Sequence, residues 1–143
     1  MTYKNILVGI DGSDRAKKAL KVACSLASAL SAKLHLVWIV NRDHAMISSF
    51  DVDEDFYHDR YLEIKKKLAP YIKKAKKVIP DATGEAIVGD AKVLLSRDIP
   101  KKYNVDLIVL GNTGLNSIEK LLIGSHTNFV IHDSSCDVLV VKK

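Results

Sequence analysis

The chain has 143 residues, 48% of them hydrophobic and 27% charged, with a formal net charge of +5. That is about one domain's length, enough for a core that buries roughly two-thirds of the unfolded surface, and the balance excludes disorder. The charge is too mild and too dispersed to argue for nucleic acid, and no apolar run approaches the ~20 residues of a membrane span.

The opening MTYKNILVGID lacks the separate basic and apolar regions of a secretory leader, so a cytoplasmic address is the expectation. Asn5 to Ile10 is an apolar run closed by Asp11-Gly12-Ser13, which reads as a buried strand and a turn. A helix follows, with Ser13 as N-cap, Asp14 suited to its positive end, and Ala16, Ala19, Leu20, Ala23, Leu26, Ala27 and Leu30 at helical spacing. Lys17, Lys18, Lys21 and Ser25 take the opposite face. Cys24 and Cys136 fall in no C-x-x-C or Cys/His spacing and read as reduced thiols serving as small apolar residues.

Lys33 to Val40 is the second strand by its β-branched and aromatic content. His35 and Trp38 within it read as packed or edge residues. The irregular segment from Asn41 to Phe56 carries Asp51, Asp53 and Asp55 at the first spacings of a calcium loop, but Phe56 and Leu62 stand where glycine and glutamate are needed, so calcium is rejected. Asp53, Glu54 and Asp55 suit a helix start, and the loop before them is a candidate ligand cover.

The second helix is expected from about Asp55 to Val78, with Phe56, Leu62, Ile64, Leu68, Ile72 and Ala75 inward. Pro70 predicts a kink, or two shorter helices, near Ala69. Its seven lysines (65, 66, 67, 73, 74, 76 and 77) read as a solvated face, because no aromatic residues are interleaved for base stacking. Ala82 to Val88 is the third strand, Ala91 to Tyr103 a helix with Pro100 as a disruption near its end, Asp106 to Leu110 the fourth strand and Asp137 to Val141 the fifth.

This alternation predicts an α/β fold: a three-layer, open, five-stranded parallel sheet with helices on both faces, forming a single domain. Ligands in such sheets sit beyond the carboxyl ends of the strands, where strand order reverses. Asp11 and Gly111 both follow strands directly and can meet there. The stretch Val105 to Ile131 passes from an apolar run through Gly111 and Gly114 to Gly124-Ser125 at the start of another helical segment, the pattern of a strand handing over to a phosphate-cradling loop.

The spacing Gly111-x2-Gly114-x9-Gly124-Ser125, joined to a first strand ending in Asp11-Gly12-Ser13, resembles the nucleotide-binding branch of the universal stress protein family, over essentially the whole chain. The resemblance implies a Rossmann-like sheet of order 3-2-1-4-5 that binds ATP, with Mg²⁺ on its phosphates. It implies Asp11 near the nucleoside and the Ile39 backbone at adenine. Gly111 and Gly114 would lie against ribose and phosphates, with Gly124, Ser125 and, more weakly, Thr127 at the phosphates. Thr113, His126 and Asp137 depart from the usual pattern.

A homodimer through the last strand is also implied, which would cover the apolar edge Val138 to Val141. The loop lacks the G-x4-G-K-[ST] order of a P-loop, and the sequence identifies no base positioned to activate water, so a nucleotide-dependent switch in a stress response with an unidentified protein partner is favoured over an enzyme. The alternatives are a dimeric interaction protein with an empty site and a slow ATP hydrolase.

Overall fold

A computed structural model describes residues 2–42, 54–112 and 125–142. Five parallel strands, β1 (Asn5–Gly9), β2 (Lys33–Asn41), β3 (Thr83–Gly89), β4 (Leu107–Gly111) and β5 (Asp137–Val141), form one sheet in the order β3-β2-β1-β4-β5. The expected architecture and strand order are both found. The order reverses at β1, whose neighbours are β2 and β4.

Both faces of the sheet are covered, which is why the central strands read as continuous apolar runs. On one face Ile6, Val8, Leu34 and Leu36 pack against α1 (Asp14–Leu30) and α2 (Glu54–Lys76) through Ala19, Leu20, Ala23, Ile64 and Leu68. On the other, Leu7, Val37, Ile108 and Leu110 meet Leu95, Ile99 and Val130. Leu95 and Ile99 lie in a helical run that begins as α3 (Ala91–Val93), passes through a π-helical turn (Leu94–Asp98) and ends as α4 (Ile99–Tyr103). Val130 belongs to α5 (Ser125–Asp133).

Local chemistry sets the helix starts. Ser13 caps α1, its hydroxyl oxygen accepting from Ala16 N at 3.1 Å, and Asp90 caps α3 by accepting from Lys92 N at 3.0 Å. The α1 stripe is mostly alanine, which lets the helix lie close to the sheet.

The expectations for α2 need correction at two points. Of the two outcomes expected at Pro70, a division into two helices is not found: Glu54–Lys76 is one helix with Pro70 inside it. The carbonyl that proline leaves without its donor belongs to Lys66, an exposed residue, where water can pair it, and apolar packing on both sides of Pro70 holds the run together. Phe56 and Leu62 are exposed, at 58% and 42%, whereas Ile64, Leu68 and Ala75 are buried, with Tyr57 and Tyr71 packed beside them. The inward stripe therefore runs through 57, 64, 68, 71, 72 and 75, a phase in which tyrosines replace the two more apolar residues. All seven lysines of this segment are exposed.

His35 lies toward the amino end of β2, away from the strand carboxyl ends. Its Nδ1 is 2.6 Å from Thr83 Oγ1 and its Nε2 is 3.1 Å from Glu85 Oε1, to which the Tyr103 hydroxyl also donates at 2.8 Å. Burial holds this imidazole below its ordinary pKa of 6.5 despite the opposing pull of Glu85, and Lys102 acts in the same direction as burial. The Tyr103 hydroxyl is pushed up, by burial first and then by Glu85.

Candidate functional site

Where strand order reverses, β1 ends and the chain turns at Asp11. Ser13 donates to Asp11 Oδ1 from its backbone N–H at 2.9 Å and from its hydroxyl at 2.5 Å, so the aspartate orders the turn that starts α1. Gly12 takes a positive φ of 81°, with the Trp38 ring against its open side.

The gap beside β2 is the central feature. Pairing of β1 with β2 runs to Gly9↔Val37 and closes with Ile10 N–H donating to the Val37 carbonyl at 2.8 Å. In a parallel ladder the backbone groups of alternate residues face the same neighbour, so the N–H and C=O of Ile39 point toward β1's side, past the point where β1 has paired. The Ile39 side chain packs with the cluster on the α4 and α5 face.

A cleft of about 110 Å³ opens at this place. Asp11, Ile39, Gly111, His126 and Thr127 line it, with Ala91 and Leu95 closing it from the α3 run. Its volume is small against the ~300 Å³ at which ordinary ligand pockets begin. The first turn of α5 lines the cleft through His126 and Thr127, and a helix start carries unpaired N–H groups that favour an anion. The π-helical turn contributes Leu95, and such turns recur at binding sites.

Of the sequence candidates, Asp11, Ile39, Gly111 and Thr127 thus converge on one cleft, and Ser125 stands at the first position of α5. Gly114 and Gly124 lie outside the described residues, as do the candidate cover at 43–53 and two of the calcium-loop aspartates, Asp51 and Asp53. Gly111 has a second duty: a Cβ there would stand 2.8 Å from both the carbonyl carbon and the carbonyl oxygen of Arg15, so β4 and the start of α1 touch backbone to backbone. Thr127, 2% exposed, donates its hydroxyl to the Gly111 carbonyl at 3.5 Å, tying α5 to β4.

Arg15, Ala91 and Leu95 were not among the sequence candidates. Arg15 reaches from the first turn of α1 to donate a hydrogen bond to the Asn112 carbonyl, next to Gly111. A cation in the first turn runs against the helix dipole, and that was the signal available in the sequence. Ala91 and Leu95 look like ordinary core residues, and nothing local distinguishes them. Among the described residues no group of three His, Cys, Asp or Glu side chains is placed to hold a metal ion, and no helix is long and apolar enough to cross a membrane.

The universal stress protein family model matches residues 2–142. A protein of Staphylococcus haemolyticus named for this family is 31% identical over 148 residues, covering 99% of this chain and 86% of the relative, and one from Staphylococcus aureus USA300 is 32% identical with the same coverage. Among solved structures, the universal stress protein UspA of Lactobacillus plantarum superposes with a TM-score of 0.81 at 28% identity over 99% of both chains. A universal stress protein solved in complex with cAMP superposes with a TM-score of 0.69 at 26% identity over the whole of both chains.

Proposed function

Because the chain belongs to the universal stress protein family, we propose that its cleft binds an adenine nucleotide, ATP foremost, and that occupancy acts as a switch in a stress response. The observation that carries this reading is the Ile39 backbone facing the gap beyond β1: a donor and an acceptor on one strand edge, with no backbone partner there among the described residues, match the paired acceptor and donor of an adenine edge. In this reading Asp11, which lines the cleft, meets the ribose hydroxyls. The start of α5, with Ser125 and Thr127, supplies N–H groups for phosphate, and the glycines 111, 114 and 124 permit close approach between them. The related protein solved with cAMP adds support for an adenine ligand.

Mg²⁺ in this reading is held by the nucleotide phosphates, which neutralises their charge. The switch consists in phosphates bound at the start of α5 changing the surface offered there to a partner. As a single cytoplasmic domain the protein would dimerise along β5, the outer strand beside β4, where Val138 to Val141 are half-buried.

The test is to identify small molecules released from the purified protein and then to titrate ATP, AMP and cAMP calorimetrically. Saturable ATP binding that weakens at least tenfold in Asp11→Ala supports the reading. No nucleotide released and no binding at millimolar ATP refutes it.

A further inference from the structure

Apart from the cleft, α1 and α2 leave a groove of about 690 Å³ between them. Its floor is apolar: Leu20 and Cys24 from α1, and Ala75 from α2, are buried, while Val78 just beyond α2 is 50% exposed. Its rim is basic. Lys18 and Lys21 stand on one side and Lys74 on the other, all exposed and none in an ion pair among the described residues. Among the described residues Asp14 is the one acid lining the groove, and it is already engaged with Lys17 at 3.8 Å. Lys74 lies close enough to Cys24 to pull the thiol pKa down, although burial pushes it up by more.

We propose that this groove binds a free medium-chain fatty acid, its alkyl chain along the Leu20–Cys24–Ala75–Val78 floor and its carboxylate among Lys18, Lys21 and Lys74. Charge complementarity decides the head group: three lysines with no ion pair among the described residues line the same groove as an apolar floor, which suits a molecule with one anionic end and one apolar end. Size decides between a small molecule and a protein segment. The volume falls within the ~300–1,000 Å³ of small-molecule pockets, whereas a docked helix needs an apolar track over several turns, and here the apolar floor is short. The site is independent of the nucleotide cleft.

Intrinsic fluorescence reports on the groove, because Tyr71 lines it and its ring lies 6.1 Å edge-on from Trp38. Decanoate, titrated below its micellar concentration, is expected to bind one per chain. Octanoate should bind roughly tenfold more weakly and dodecanoate roughly tenfold more tightly, since each buried CH₂ changes affinity about three- to fourfold. The doubly substituted Lys21→Glu, Lys74→Glu protein, whose altered side chains are both exposed, should keep its circular dichroism spectrum and lose at least tenfold in decanoate affinity. Decanol binding as tightly as decanoate, affinity independent of chain length, or no saturable binding would each overturn the proposal. So would binding of an acidic amphipathic peptide or of phosphatidylglycerol vesicles at these lysines without any response to free decanoate.

Discussion

Replacing Gly111 by alanine tests the junction on which the cleft depends. The new Cβ would be 2.8 Å from the Arg15 carbonyl carbon and oxygen and 3.1 Å from Ala16 N, all of them backbone atoms at the start of α1. No side-chain rotation relieves such a contact, so either β4 or the first turn of α1 must move. Overpacking of this kind costs about 1–3 kcal/mol, and we take the upper end because the obstacle is backbone. The lower chain entropy of alanine in the unfolded state offsets about 0.4–1 kcal/mol, leaving a net loss of about 2 kcal/mol. With an unfolding entropy of about 2.1 cal/mol/K per residue, the 143 residues amount to about 0.3 kcal/mol/K, so Tm should fall by about 7 °C.

Gly9→Ala is the matched control. Its Cβ would also meet an atom at 2.8 Å, but that atom is Leu110 Cδ2, the end of a side chain that can rotate away. Its Tm should change by less than about 3 °C, within the offset just given. Thermal unfolding followed by circular dichroism measures both. A Gly111→Ala protein that melts within 2 °C of the parent, or no lower than Gly9→Ala, would refute the claim that β4 and α1 are in obligatory backbone contact. Because Thr127 bonds the Gly111 carbonyl and both line the cleft, the same substitution should also weaken ATP binding.

Ser13→Ala removes the α1 cap and both hydrogen bonds of that hydroxyl, and should cost about 1 kcal/mol in chemical denaturation. The stability of the protein should fall on acidification from pH 7 to below the ordinary histidine pKa of 6.5. His35 is held lower than this in the folded protein, so the unfolded chain binds the proton first, and the loss levels off only below the folded pKa. His35→Asn should flatten that part of the pH–stability profile, and an unchanged profile would contradict the burial assignment. Val140→Lys on the half-buried outer strand should convert a β5-mediated dimer to monomer in light scattering, and an unaltered mass would reject that interface.

Much of the fold was legible because its signals are local. Short apolar runs located the strands within a residue or so, the first closed by Asp11-Gly12 and the third by Gly89-Asp90, and Ser13 marked the start of α1 through a hydrogen bond spanning three residues. The phase of α2 was less legible. Phe56 and Leu62 are more apolar than Tyr57, yet the tyrosine faces the sheet, since a tyrosine can bury its ring while its hydroxyl reaches water. Pro70 is tolerated because the carbonyl it strands is on the solvent side, a fact that depends on which way the helix is turned.

The glycine spacing from 111 to 125 and the aspartate after β1 were visible in the sequence as a nucleotide-type pattern, and periodicity alone implied a parallel sheet with helices on both faces. Those inferences rest on interactions between residues a few positions apart. Only the tertiary structure decided that Ile39 presents its backbone past the end of β1, that Gly111 is wedged against Arg15, and that Leu95 and Thr127 close the same cleft. Each of these depends on strand register and on how closely a helix lies to its sheet, which are set by the packing of side chains far apart in the chain. A site at the reversal of strand order is therefore announced locally by its turn residues and completed by contacts that no local pattern encodes.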